Sequence, residues 1–281
     1  MKLKYTTKLF VVVNAIVLVF RTLQIVFLTE ADRAFLKTDM LVVNIIGTVI
    51  SVLSLAALFY NASLAVRQPE KINCSGLFSA VAAGVVGCLY MLTGLLAAVE
   101  KTFGWQIILL IAVLATVSAA LMVASALSEF KFPKWAAILP VLFWTGLLVV
   151  AYINYTERAL RVRTVYEVFA VCFMILFSLA YGKAISGVKP SKNFRFIYPL
   201  GLVASSLCMA SVIPEAIATL VSKGENVASS PIPVAALVAG AVFTGFFTVN
   251  TFKKSNTVHP KKKTLVPMQS DTSDITDKNE Q

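Results

Sequence analysis

Residues 137–182 read AILPVLFWTGLLVVAYINYTERALRVRTVYEVFAVCFMILFSLAYG. Two apolar runs flank a polar piece, NYTERALRVRTVYE (154–167), which carries Arg158, Arg161 and Arg163. A helix crossing the hydrocarbon core of a bilayer needs about 20 mostly apolar residues. Backbone polar groups inside a bilayer must be satisfied internally, so only helices and closed barrels span it. Neither run shows the strict alternation of a barrel strand. The stretch therefore reads as two membrane helices joined by a short basic loop.

The rest of the chain repeats that pattern. Of 281 residues, 58% are hydrophobic and 14% charged, and the mean hydropathy is +0.81. A soluble domain carries about 25% charged residues. The expected fold class is all-α: a polytopic membrane protein of about eight transmembrane helices, near 9–28, 40–66, 77–99, 104–128, 134–155, 163–185, 196–221 and 230–252. The transmembrane domain spans 1–252. The remainder, 253–281, is expected to be a disordered tail, basic near the membrane and acidic beyond it. MKLKYTTK at the start resembles a signal-peptide n-region, but no A-x-A cleavage pattern follows, so the first helix is expected to be retained.

Lysine and arginine in short loops set the orientation of such a chain. With the N-terminus inside, seventeen fall on the inner side: three in the first eight residues, Arg67 and Lys71, Lys131 and Lys134, four between 183 and 195, and six in the tail. Seven fall outside: Arg33, Lys37, Lys101, Arg158, Arg161, Arg163 and Lys223. Both termini are thus expected in the cytoplasm, with the multi-pass look of a bacterial plasma-membrane protein. Only the 154–167 loop runs against the rule. The formal charge of +11 is spread over these loops and the tail. It points to topology and to anionic lipid headgroups as partners of the tail, and not to nucleic acid.

Two halves, 1–128 and 133–252, hint at a parallel 4+4 internal repeat joined by SEFKFPK (128–134). Thr-Glu pairs at 29–30 and 156–157, and Pro69 and Pro190, fall at corresponding places. Small residues recur at four-residue spacing, as in Ala80 and Gly84, Ala236 and Gly240, and Ala241 and Gly245. Such pairs allow close helix packing within the bundle and permit homo- or hetero-oligomers. Trp105 and Trp135 sit where interfacial anchors belong. Pro140 and Pro214 are expected to kink their helices.

Ionisable residues inside a membrane are costly and mark function by default. In this threading Arg21, Glu215 and Glu167 lie a turn or more below the outer surface. Glu100 ends the third helix, and Arg158, Arg161 and Arg163 sit just above. The midplane holds no ionisable residue, where a proton- or sodium-coupled transporter would commonly place a carboxylate. Two readings result. These seven residues form a ligand site for a small anionic or zwitterionic solute reached from outside, in a binding or transport protein. Alternatively they are a structural salt-bridge cluster in a non-catalytic sensor or assembly partner, with Glu157–Arg161 and Arg163–Glu167 at i,i+4 spacing.

No enzymatic motif is present: no GxxxxGK[ST], HExxH or GxSxG. Cys74, Cys88, Cys172 and Cys208 form no CxxC pattern, and His259 is the only histidine, so no metal or cofactor is expected. The glycosylation patterns at Asn61 and Asn154 fall at helix ends and are discounted.

Overall fold

The computed structural model describes residues 2–27, 41–65, 110, 113–118, 120, 135–157, 162–186, 196–221 and 234–255. Its helices are α1 (Lys2–Phe27), α2 (Leu41–Ala65), α3 (Leu139–Glu157, entered through a 3-10 turn at Ala136–Ile138), α4 (Val162–Ile185), α5 (Ile197–Val221) and α6 (Val234–Ser255). Every described element is helical. Four helices are long and apolar enough to cross a membrane, over Tyr5–Phe27, Leu41–Ala65, Val165–Ala184 and Ile197–Ala218. An all-helical fold with a membrane location follows from them.

These helices match six of the eight expected runs. The expected spans 77–99 and 104–128 lie outside the described residues, except for residue 110, residues 113–118 and residue 120, which are helical. The test of the repeat therefore also lies outside them. α1 begins at Lys2, earlier than expected, because the first eight residues contain no helix breaker and simply continue the helix. α6 runs to Ser255, so the first residues assigned to the tail belong to the helix. Pro140 is a correction. The α-helix starts at Leu139, which puts Pro140 in the first turn, where its missing N–H is no loss. Among the described residues, only Pro214 interrupts a helix interior.

Side-chain contacts fix how the helices run. A side-chain hydrogen bond joins Thr7 to Tyr198, so α1 and α5 start at one end of the bundle and run parallel. Phe59 stacks on Phe196 at 6.4 Å, so α2 finishes at that end and runs antiparallel to α5. Ser205 Oγ donates to the Ala241 carbonyl at 3.0 Å, and Gly201 faces Thr248, which sets α6 antiparallel to α5. Tyr181 meets Phe247 edge-on at 4.9 Å, so α4 and α6 run together. Gly182 meets the backbone of Ala137, which brings the end of α4 to the start of α3. The starts of α1, α3 and α5 and the ends of α2, α4 and α6 thus share one end of the bundle, here called proximal. The other end is distal.

α5 is the central helix and packs on α1, α2, α4 and α6. From Ile197 to Ala210 it is buried almost all round, as expected of a helix apolar on every face. Its seam with α6 is built from small residues. A Cβ added to Gly201 would overlap Thr248, and one added to Gly245 would lie 3.0 Å from Ser205 Oγ. Gly240 meets Met174 and Trp144 instead, so α6 touches α4 and α3 through the same kind of residue. Close backbone approach replaces hydrophobic driving force where lipid is as apolar as the side chains. These pairs serve packing within the bundle. The α4–α6 seam is aromatic, with Phe177, Tyr181, Phe243 and Phe247 in mutual contact.

Candidate functional site: a buried polar layer near the distal end

Three side chains of charged type are buried among the described residues: Arg21, Glu167 and Glu215, at 2%, 1% and 7% exposure. Arg21 lies six residues before the end of α1, and Glu215 six before the end of α5. Glu167 lies five residues after the start of α4. At ~1.5 Å rise per residue, all three sit roughly 8–9 Å below the distal ends of their helices. The Thr7–Tyr198 contact sets the register of the parallel pair α1 and α5, and in that register Glu215 stands level with Gln24.

Arg21 organises the layer. Its guanidinium carbon lies 4.3 Å from the centroid of the Tyr166 ring, a cation over an aromatic face. Its Nη1 donates to Gln24 Oε1 at 2.5 Å, and Gln24 Nε2 donates to Asn44 Oδ1 on α2. Gln24 and Asn44 are themselves buried. α1 presents Arg21 and Gln24 on one face because they are three residues apart. Gly47 makes room below them: a side chain there would occupy the Phe20 ring, so α1 and α2 close tightly under the polar groups.

Tyr166 brings α4 into the layer, and Glu167, next in the chain, is a buried carboxylate on the same turn. The Tyr166 hydroxyl is buried and has no hydrogen-bond partner among the described residues. A buried polar group left in that condition costs about 1–3 kcal/mol. The layer thus combines a guanidinium over an aromatic ring, a hydroxyl without a hydrogen-bond partner among the described residues and two carboxylates. Chemically, it can grip an anionic group with Arg21 and the hydroxyl, and a cationic group with Glu167 or Glu215.

Of the seven residues singled out from sequence, the structure buries Arg21, Glu167 and Glu215 at one depth. Arg163 lies in the first turn of α4, and nothing is described of its side chain. Arg158, Arg161 and Glu100 lie outside the described residues. Sequence reasoning missed Tyr166, Gln24 and Asn44. Gln24 carried a usable signal, a polar residue one turn from an intramembrane arginine. Tyr166 and Asn44 carried none, since their part depends on which helices meet.

Several other polar groups serve their own helices. Asn14 Nδ2 donates to the Phe10 carbonyl, and Ser206 and Ser211 donate to the carbonyls of Leu202 and Leu207. Asn61 Nδ2 donates to the Ala57 carbonyl within α2. Among the described residues, no three metal-binding side chains cluster.

No protein-family model, curated protein or solved structure matches this chain.

Proposed function

We propose that the chain is a multi-pass plasma-membrane protein, with the proximal end in the cytoplasm, that binds or transports a small anionic or zwitterionic solute reached from outside. The site is the layer of Arg21, Tyr166, Glu167 and Glu215. The orientation rests on the positive-inside bias, which favours the end where α1 starts and α6 finishes. The carrying observation is the Tyr166 hydroxyl. A layer built only to hold helices together has no use for a buried phenol without a partner, because phenylalanine would supply the same ring to Arg21.

The test is thermal unfolding of the detergent-solubilised full chain with three probes: succinate, glycine and choline. A ligand at 100 times its Kd stabilises the folded state by about 2.7 kcal/mol. Succinate or glycine is expected to raise Tm, and Tyr166→Phe is expected to abolish that rise while raising the Tm without ligand, because the unpartnered hydroxyl is gone. No shift with any probe, or a shift that survives Tyr166→Phe, would remove the site.

A second reading is favoured by the chain from Arg21 through Gln24 to Asn44, which ties α1 to α2 with no solute needed. There the layer is a structural brace in a sensor or assembly partner. Co-purification with another membrane protein, without a response to any probe, would support it.

A further inference from the structure

We propose that α5 hinges at Pro214 and that its last turns, 214–221, form a distal gate that carries Glu215 into and out of the polar layer. The inference starts from backbone chemistry. Proline has no N–H, so the Ala210 carbonyl receives no helix bond from residue 214, and the pyrrolidine ring crowds that carbonyl. Sharp changes of helix direction occur at such positions. Pro214 is the one proline inside a helix among the described residues.

Packing changes at the same place. Below Pro214, α5 is enclosed: Leu202, Val203, Ala204, Ser205, Leu207 and Cys208 are all buried. It is also bolted to α6 by the hydrogen bond from Ser205 and by Gly201 against Thr248. Above Pro214, one face emerges. Ile217 is exposed, and Leu220 reaches 81% exposure. Ala218 and Glu215 are buried on the opposite face of that segment. The clamped part cannot swing without breaking the α5–α6 seam, whereas the upper part, which buries Glu215 and Ala218, is less enclosed and can turn on Pro214. Local opening draws on segments with few buried contacts. Glu215 lies one residue past the hinge, so movement of this segment changes the charge content of the layer. Hinges of this kind, at a few positions that absorb the backbone change, are the common device of domain and gate closure. The hinge holds whether or not the layer binds a solute, so its failure would leave the proposed function standing.

Two measurements on the full chain decide it. Hydrogen exchange of the amides at 215–221 is compared between the native sequence and Pro214→Ala, which restores the bond to Ala210. Exchange above residue 214 is expected to slow by at least about tenfold in Pro214→Ala, with residues 201–207 unchanged. Equal exchange in the two proteins would overturn the hinge. Where Pro214→Ala does not fold, labelling in the native background decides. A membrane-impermeant maleimide added from outside is expected to modify Ala218→Cys within minutes and to leave the native Cys208, below the hinge, unmodified. Protection of both cysteines, or equal labelling of both, would overturn the gate.

Discussion

Arg21→Ala is expected to lower the stability of the fold by about 3–5 kcal/mol, the usual consequence of removing one member of a buried charged network. Arg21 is the buried cation of a layer that also holds two buried carboxylates, Glu167 and Glu215, among the described residues. Its loss removes the cation from over Tyr166 and the donor to Gln24. The carboxylates then remain in a low-dielectric region without it. Arg21→Lys should recover only part of the stability, because an ammonium lacks the planar fork and stacks less well on an aromatic ring. Arg21→Leu combined with Glu167→Leu and Glu215→Leu should recover more than half, since no charge is then stranded. Denaturation followed by tryptophan fluorescence gives the numbers. A triple variant no more stable than Arg21→Ala would show that the charges do not compensate one another.

Trp144→Ala should have an effect of similar size for a different reason. Trp144 is the largest fully buried side chain among the described residues, with no exposed surface. It packs edge-on against Phe143 at 5.3 Å and lies against Gly240 of α6. Deleting a buried aromatic ring leaves a cavity and costs about 3–5 kcal/mol. Trp135, by contrast, is 70% exposed at the entrance to α3. Trp135→Ala should change stability by less than about 0.5 kcal/mol, the range of surface substitutions away from special features. Equal losses from the two substitutions in thermal unfolding would mean that α3 does not pack on α4 and α6 through Trp144.

Much of the fold was legible because lipid imposes a length. A run such as Leu41–Ala65 can be recognised without knowing what it touches, and its bounds came within a residue of the expected 40–66. Helix ends were less legible where no breaker marks them, as at Lys2, and Pro140 was misread because a proline's effect depends on whether it falls in the first turn or the interior. The depth of Arg21, Glu167 and Glu215 could be counted from the sequence, since it depends only on position along each helix. Their neighbours could not. That Tyr166 offers its ring to Arg21, while its hydroxyl lies orphaned, depends on α4 meeting α1 near the distal end. The apolar faces give no strong signal for that, because lipid-facing and protein-facing residues are equally hydrophobic. The small residues at Gly240 and Gly245 were visible as packing sites, but which helix each one meets was not, and Gly201 was not singled out.

The proposed site requires the polar layer to lie near the outer surface, within reach of an external solute. Sidedness tests it most directly. Single cysteines are placed at Arg158, between α3 and α4, and at Glu70, beyond the end of α2, in a chain whose native cysteines are replaced by alanine. Intact cells are then treated with a membrane-impermeant maleimide. Position 158 is expected to label from outside, and position 70 only after the cells are opened. Labelling of position 70 alone in intact cells would put the layer of Arg21, Tyr166, Glu167 and Glu215 next to the cytoplasm and contradict the account.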